Sequence, residues 1–257
     1  MAETAIYLYC IVHASKMPSA AGVPPGLPGA TRPVLSTLAR SFRVVTASVP
    51  LEVYGSDALE ASLRNVQWVS GIAVAHESVV EHFTRAAACT VIPMKLFTMF
   101  SSEELAYAAM RPRLPEFQTI VRRIAGCEEW GVRITPRAAS GAESAGEMTR
   151  AASGTAFLAA KKAARDVARQ SASAVAEAAE DAYRVLSAIA RDVRRRGDTP
   201  EGATSPPLLD AAFLVPSTRR KRFTAAVTKV ADSSDRISVT LTGPWPSYNF
   251  IDSGANA

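Results

Sequence analysis

Ile237-Ser-Val-Thr-Leu-Thr-Gly-Pro-Trp-Pro-Ser-Tyr-Asn-Phe250 joins a strand pattern to a stiffened aromatic run near the end of a 257-residue chain. Ile237, Val239 and Leu241 alternate with Ser238, Thr240 and Thr242, the period-2 signature of a half-buried strand. Gly243-Pro244 is its expected stop, because proline lacks the N–H that the next ladder partner needs. Beyond it Trp245 sits between Pro244 and Pro246, and Tyr248 and Phe250 follow. Prolines fix φ and push the preceding residue toward extended conformations, so three rings are displayed at low entropic cost. Two readings stand side by side: a tail folded back as a cap on the core, or an adhesive surface, since aromatic side chains dominate interface hot spots.

Working back from the N-terminus, Ala5–Val12 reads as a central strand, with Ile6, Leu8, Cys10 and Val12 on one face and Tyr7, Tyr9 and Ile11 on the other. Pro18–Pro33 is rich in proline and glycine and reads as a surface loop. Phe42–Val49 gives a strand, Asp57–Leu63 a short helix and Gln67–Thr84 a longer one with Val69, Ile72, Val79 and Phe83 in register. Thr90–Phe97 is a strand that Pro93 confines to an edge or bulge. Ser101-Ser-Glu-Glu starts a helix to about Met110 by supplying capping oxygens and first-turn acids. Leu114–Ala125 follows, with Gly126 just past its end. This order predicts an open α+β sandwich of ferredoxin-like type over residues 1–125.

The remainder, 126–257, reads as a second α+β domain built on one long helix. Glu128–Thr135 is a strand with Trp130, Val132 and Ile134 on one side, closed by Pro136 and a small-residue loop through Glu147. From Gly154 to Arg196 there is no proline, and a stripe through Phe157, Ala160, Ala164, Val167, Ser171, Ala174, Ala178, Ala182, Val185, Ile189 and Val193 predicts one helix, with Ser171-Ala-Ser173 as the place for a bend or, on the alternative reading, a break. After a loop from Gly197 to Pro207 come a strand at Leu208–Val215, a helix capped by Ser217 or Thr218, and the terminal strand.

The formal charge of +5 resides in two late runs, Arg191–Arg196 and Arg219-Arg-Lys-Arg222. Each is placed at a helix end, where the dipole favours cations at the C-terminus. They support an alternative reading as a nucleic-acid-binding or regulatory module, but lack the aromatic interleaving of known readers. No run of about 18 uncharged apolar residues offers a membrane span. The N-terminus has no secretory pattern, and Cys10, Cys89 and Cys127 fit buried thiols in a reducing cytoplasm. Phosphate loops, nucleophile elbows and zinc spacing are all missing from the sequence. His76 and His82 lie six apart, about 240° around a helix, so they cannot share a metal; a solvated face is the plainer reading. His13, Cys89 and Lys95 lack local partners, so a dispersed enzyme site would need a polar pocket to unite them. No catalytic residue, metal or cofactor is assigned.

Several segments, in order, carry a resemblance: Tyr7-Leu-Tyr-Cys-Ile-Val12, His76-Glu-Ser-Val-Val80, Val91-Ile-Pro-Met-Lys-Leu-Phe-Thr-Met-Phe100, Glu129-Trp-Gly-Val-Arg-Ile134, Gly154–Lys162, Asp210-Ala-Ala-Phe-Leu-Val215 and Leu241-Thr-Gly-Pro-Trp-Pro-Ser-Tyr-Asn-Phe250. Together they resemble the gas vesicle proteins GvpF and GvpL over most of the chain. The family pattern has Arg-Phe-Gly-Thr where this chain has Lys95-Leu-Phe-Thr98, and Ala-Tyr-Leu-Val where it has Ala212-Phe-Leu-Val215. The first change keeps a cation and loses a glycine. The resemblance implies a two-domain, non-enzymatic accessory or minor structural protein of gas vesicle assembly, cytoplasmic and vesicle-associated. Its implied partners are the hydrophobic shell protein and other vesicle accessory proteins. On that reading the candidate partner-binding residues are Trp245, Tyr248 and Phe250, with Trp245 partly buried against Ile237–Leu241 and the other two freer for contact.

Overall fold

A computed structural model describes residues 3–16, 18–86, 88–137, 154–197 and 207–252. The loop read through Glu147 and most of the one before Pro207 lie outside the described residues. Two compact units emerge, Met1–Glu129 with Pro244–Ala257, and Trp130–Gly243. The reading by chain order ended the first domain at 125 and kept the tail with the second; the contacts group Pro244–Ala257 with the first 129 residues.

The first unit runs β1 (Thr4–Ala14), β2 (Val34–Thr37), β3 (Phe42–Pro50), α1 (Leu51–Tyr54), α2 (Ser56–Ser62), α3 (Val66–Thr84), β4 (Cys89–Pro93), β5 (Met99–Phe100), α4 (Glu103–Met110) and α5 (Leu114–Ile124). Its sheet has the order β2-β3-β1-β4, with β5 also on β1, and the pairings are antiparallel. This is the open α+β arrangement expected for the N-terminal half. Pro93 closes β4 at the end of the sheet path, and the expected strand to Phe97 gives way to a turn in which the Thr98 N–H donates to the Lys95 carbonyl.

One irregularity changes which side chains meet. The register of β1 on β3 shifts between Leu8 and Cys10, leaving Tyr9 as the extra residue of a bulge. Strict alternation had set Tyr7 and Tyr9 against Cys10 and Val12. The bulge instead gathers Ala5, Tyr7, Tyr9, Cys10 and Val12 into one core cluster with Ile72, Val79, Val80 and Phe83 of α3. Helix α3 starts at Asn65, whose side chain accepts from the Gln67 and Trp68 N–H groups. Helix α4 starts at Ser102, which accepts from Leu105. Gly126, at φ +66°, takes the left-handed position just beyond α5.

The second unit contains β6 (Cys127–Pro136), α6 (Gly154–Ser187), β7 (Asp192–Arg195), β8 (Leu209–Pro216), α7 (Arg220–Asp232) and β9 (Ile237–Trp245), with sheet order β7-β8-β6-β9. Trp130, Val132 and Ile134 share one face of β6 as expected, packed with Phe213 and Phe223. Helix α6 is unbroken over 34 residues, about 51 Å at 1.5 Å per residue. It ends at Ser187 rather than Arg196, because Asp192–Arg195 pairs antiparallel with β8. The core residues it supplies are Ala179, Ala182 and Leu186, followed by Ile189. Val185, counted in the predicted stripe, is exposed. Strand β9 passes through Gly243 and Pro244 to Trp245 instead of stopping, which an edge strand tolerates because its outer N–H groups have no ladder to serve.

Candidate functional site

Three segments of the first unit converge on a concavity of about 710 Å³: helix α3, the Lys95–Thr98 turn and the C-terminal tail. Ala73, Val74, Leu96 and Trp245 give it apolar walls, and His76, Glu77, Glu81, Lys95 and Tyr248 supply the polar groups. Ala73, Glu77 and Glu81 recur at four-residue spacing, so one face of α3 carries them all.

Beneath this surface lies a chain of buried hydrogen bonds. The Phe97 N–H donates to the Tyr7 hydroxyl at 3.3 Å, and that oxygen lies 2.8 Å from His76 Nδ1. The Tyr7 hydroxyl thus joins the Phe97 amide to the imidazole, serving as acceptor to the first and as hydrogen-bond partner to Nδ1. Tyr9 accepts from the Leu27 N–H at 3.0 Å and stacks on the imidazole, with centroids 5.6 Å apart. His76 is 2% exposed, not part of a solvated face. Burial lowers its pKa to about 4, with the Met94 backbone acting weakly the other way, so it is neutral at pH 7. Its Nε2 has no hydrogen-bond partner among the described residues.

Glu77 is the second polar feature. Its Oε2 accepts from the Tyr248 hydroxyl at 2.7 Å, and its Oε1 is buried without a partner among the described residues. Burial raises its pKa, the Tyr248 bond opposes that, and the charges of Glu81 and Glu129 add to the rise. Tyr248 is itself pushed well up, by burial and then by the Glu77 charge, so it remains a hydrogen-bond donor.

The tail therefore reverses the expected roles of its rings. Phe250 is 0% exposed and Tyr248 is tied to Glu77, whereas Trp245 is 45% exposed. Polar anchors explain the reversal. Asn249 donates through its backbone N–H and its side-chain amide to Glu129, and Arg123 donates to the Phe250 and Asp252 carbonyls. These bonds hold residues 248–252 down, which drives Phe250 inward, while Trp245 ends an edge strand.

The other residues singled out in the sequence do not assemble. His13 lies tilted against Phe42 with ring centroids 4.9 Å apart, and burial lowers its pKa; burial raises the pKa of the Cys89 thiol. Lys95 alone of the three lines the concavity, and its Nζ is 3.9 Å from Asp252. Among the described residues no three His, Cys, Asp or Glu side chains form a metal cluster. His82 packs edge-on to Phe83, away from His76. No described helix is long and apolar enough to cross a membrane. Within the basic runs, Arg195 pairs with Glu180 and lies over the Tyr183 ring, and Arg196 joins Arg133 in clamping Asp210. Arg219–Arg222 falls at the start of α7, not at a helix C-terminus, and the helix has no side-chain cap there. The Glu77–Tyr248 bond and the Tyr7–His76 bond escaped the sequence reading; the four-residue spacing of Ala73, Glu77 and Glu81 was the available signal for the concavity.

Comparison with known proteins draws on the whole chain. The family model described as gas vesicle synthesis protein GvpL/GvpF matches residues 5–252. The chain belongs to the GvpL/GvpF family. It is 26% identical over 212 residues to gas vesicle protein L of Streptomyces sp. (strain CB03234), covering 80% of this chain and 78% of that one. It is 25% identical over 253 residues to gas vesicle protein F2 of Halobacterium salinarum, covering 98% and 94%. The crystal structure of GvpF from Anabaena sp. PCC7120 superposes with a TM-score of 0.64 over 97% of this chain and 96% of that one. GvpF from Microcystis aeruginosa does so with the same score over 96% and 99%. At 17% and 16% identity those structures establish the shared fold. Membership of a GvpL/GvpF family places the protein in gas vesicle formation. The family glycine of the 95–98 turn is Phe97 here, and Phe97 holds the left-handed backbone at φ +63°.

Proposed function

We propose that this protein is a cytoplasmic, vesicle-associated accessory component that binds the hydrophobic shell protein and assists nucleation or growth of the gas vesicle shell. The observation that carries the reading is the first half of α6. Every residue from Leu158 to Gln170 is exposed, and Leu158 and Val167 are each 65% open to solvent. A 34-residue helix whose core contacts begin only near Val175 presents an uncovered, alanine-rich surface with two larger apolar side chains. A shell monomer must expose apolar surface to polymerise, so its free form gains from such a partner. Trp245 supplies a further exposed ring, whereas Tyr248 and Phe250 serve the fold and contribute by holding the tail in place.

The test is co-purification of the shell protein with wild-type chain and with a Leu158→Asp, Val167→Asp variant whose circular dichroism is unchanged. Capture is expected to fall at least tenfold, the equivalent of about 1.4 kcal/mol. Undiminished capture by the folded variant overturns the assignment of the surface.

A further inference from the structure

The concavity on α3 has a chemistry that assembly alone does not require. Its size falls within the roughly 300–1,000 Å³ range of small-molecule sites, and its walls combine apolar surface with a few polar groups. Glu77 Oε1 is buried and has no hydrogen-bond partner among the described residues. Glu81 and Glu129 lie close enough to act on the same carboxyl group. Two aromatic side chains, Trp245 and Tyr248, stand in the wall beside it. Facing these groups, Lys95 is largely exposed and leans toward Asp252, and Glu81 pairs with the exposed Arg85 at 2.5 Å.

We propose that this concavity binds a small organic cation, an amine with an apolar or aromatic body, whose ammonium group donates to Glu77 Oε1. The fit is electrostatic and geometric. An unpaired buried carboxylate oxygen is costly, and an ammonium removes that cost with a charge-assisted bond. An aromatic face adds cation–π attraction, and the Ala73, Val74 and Leu96 surface takes the apolar body. An anion would meet Glu77 and Glu81 and be repelled. Seating the ligand requires a rim side chain to shift, and exposed Trp245, Val74 and Lys95 all have room to do so. The occupant is a free small molecule, because the volume matches such a ligand rather than a helix laid along a groove. Trp245 is common to both assignments, but Leu158 and Val167 do not line the concavity and Glu77 and Ala73 do not belong to α6, so either assignment can fail alone.

Titration calorimetry of the full chain with tryptamine at millimolar concentration tests the assignment, with indole-3-acetate as the anionic counterpart. Saturable binding of tryptamine and none of indole-3-acetate is expected. Glu77→Gln keeps an acceptor for Tyr248 and should weaken tryptamine at least about tenfold, the loss of one charge-assisted bond. Ala73→Trp, which fills the concavity from an already half-exposed position, should abolish binding, and Trp245→Ala should weaken it. No binding by the wild-type chain, equal binding of the two indoles, or unchanged affinity in a folded Glu77→Gln or Ala73→Trp variant overturns the proposal. So does a lysine-bearing apolar peptide that binds there when tryptamine does not.

Discussion

Phe97 carries backbone strain that a glycine would avoid. Its φ of +63° costs a residue with a Cβ about 1–2 kcal/mol. Two contacts oppose that cost. Its ring stacks on Trp68 with centroids 6.0 Å apart and planes 3° from parallel, and its N–H serves the Tyr7 hydroxyl. The loss of a glycine from the 95–98 turn was visible in the sequence; the retained left-handed backbone and the Trp68 ring under it were not, since Trp68 lies about thirty positions away. Removing the ring in two ways separates strain from stacking. Phe97→Ala loses the stacking and keeps the strain, whereas Phe97→Gly loses both. Urea denaturation should therefore find Phe97→Gly more stable than Phe97→Ala by about 1 kcal/mol, the reverse of the usual glycine penalty. Equal stabilities, or Ala above Gly, remove the strain argument.

His76 and Glu77, adjacent in sequence, give opposite responses to acid. The folded state holds the His76 pKa near 4, below its ordinary 6.5, so stability from keeping the ring neutral is present above pH 6.5 and lost as pH falls toward 4. Its full size is about 3 kcal/mol. The Glu77 pKa is raised instead, so acidification from neutrality protonates it first in the folded state and adds stability. Replacing His76 by Gln keeps an acceptor for Tyr7 and deletes the titration. Thermal melts between pH 7 and pH 4 should show a shallower fall for His76→Gln than for wild type; parallel curves would mean that the imidazole is not held neutral. Reading His76 as solvated failed because the Tyr9 bulge, which aligns Tyr7 and Tyr9 with this part of α3, has no sequence signal of its own.

At the scale of the element, α6 shows what periodicity can and cannot give. The absence of proline marked a long helix, and it is long. Its end was illegible, because Arg191–Arg196 contains no glycine or proline and leaves the helix only to pair with β8. The phase of its buried face was equally hard to read in an alanine-rich stretch, where the larger side chains do not single out one stripe. Leu186 is fully buried and Val185 points outward. Leu186→Ala should cost about 2–5 kcal/mol, and Val185→Ala less than about 1 kcal/mol. The predicted stripe through Val185 would reverse that order, so denaturation of the two variants discriminates between phases. In β6 a constraint that the sequence does not display appears: Gly131 has no room for a side chain, since a Cβ there would sit 2.5 Å from Thr242 Oγ1 and 2.9 Å from Arg196 Nη2. That glycine lets the Arg196 guanidinium reach across to Asp210.

At the scale of the whole chain, the α+β class and two-unit layout followed from the order of strand and helix patterns, but the return of the tail to the first unit did not. Residues 248–252 contact partners about 120 to 170 positions earlier, and no local pattern reports pairings at that range. The consequence is that the first unit is completed by a segment more than a hundred positions along the chain from the rest of it. A chain ending at Gly243 loses Phe250 from the core, and also leaves the Glu77 carboxylate without Tyr248 and the Glu129 carboxylate without Asn249. Phe250→Ala alone should cost about 3–5 kcal/mol through the cavity it leaves. The truncation should cost more, by about 1–3 kcal/mol for the tail's hydrogen bonds to Glu77 and Glu129. Adding Glu77→Gln to the truncated chain should then recover part of that difference, because a neutral amide loses less than a charge does when the Tyr248 donor is gone. Calorimetric melts of the four chains decide it. Truncation no more harmful than Phe250→Ala would mean the tail is held by its one buried ring, and the polar anchors contribute nothing to closing the unit.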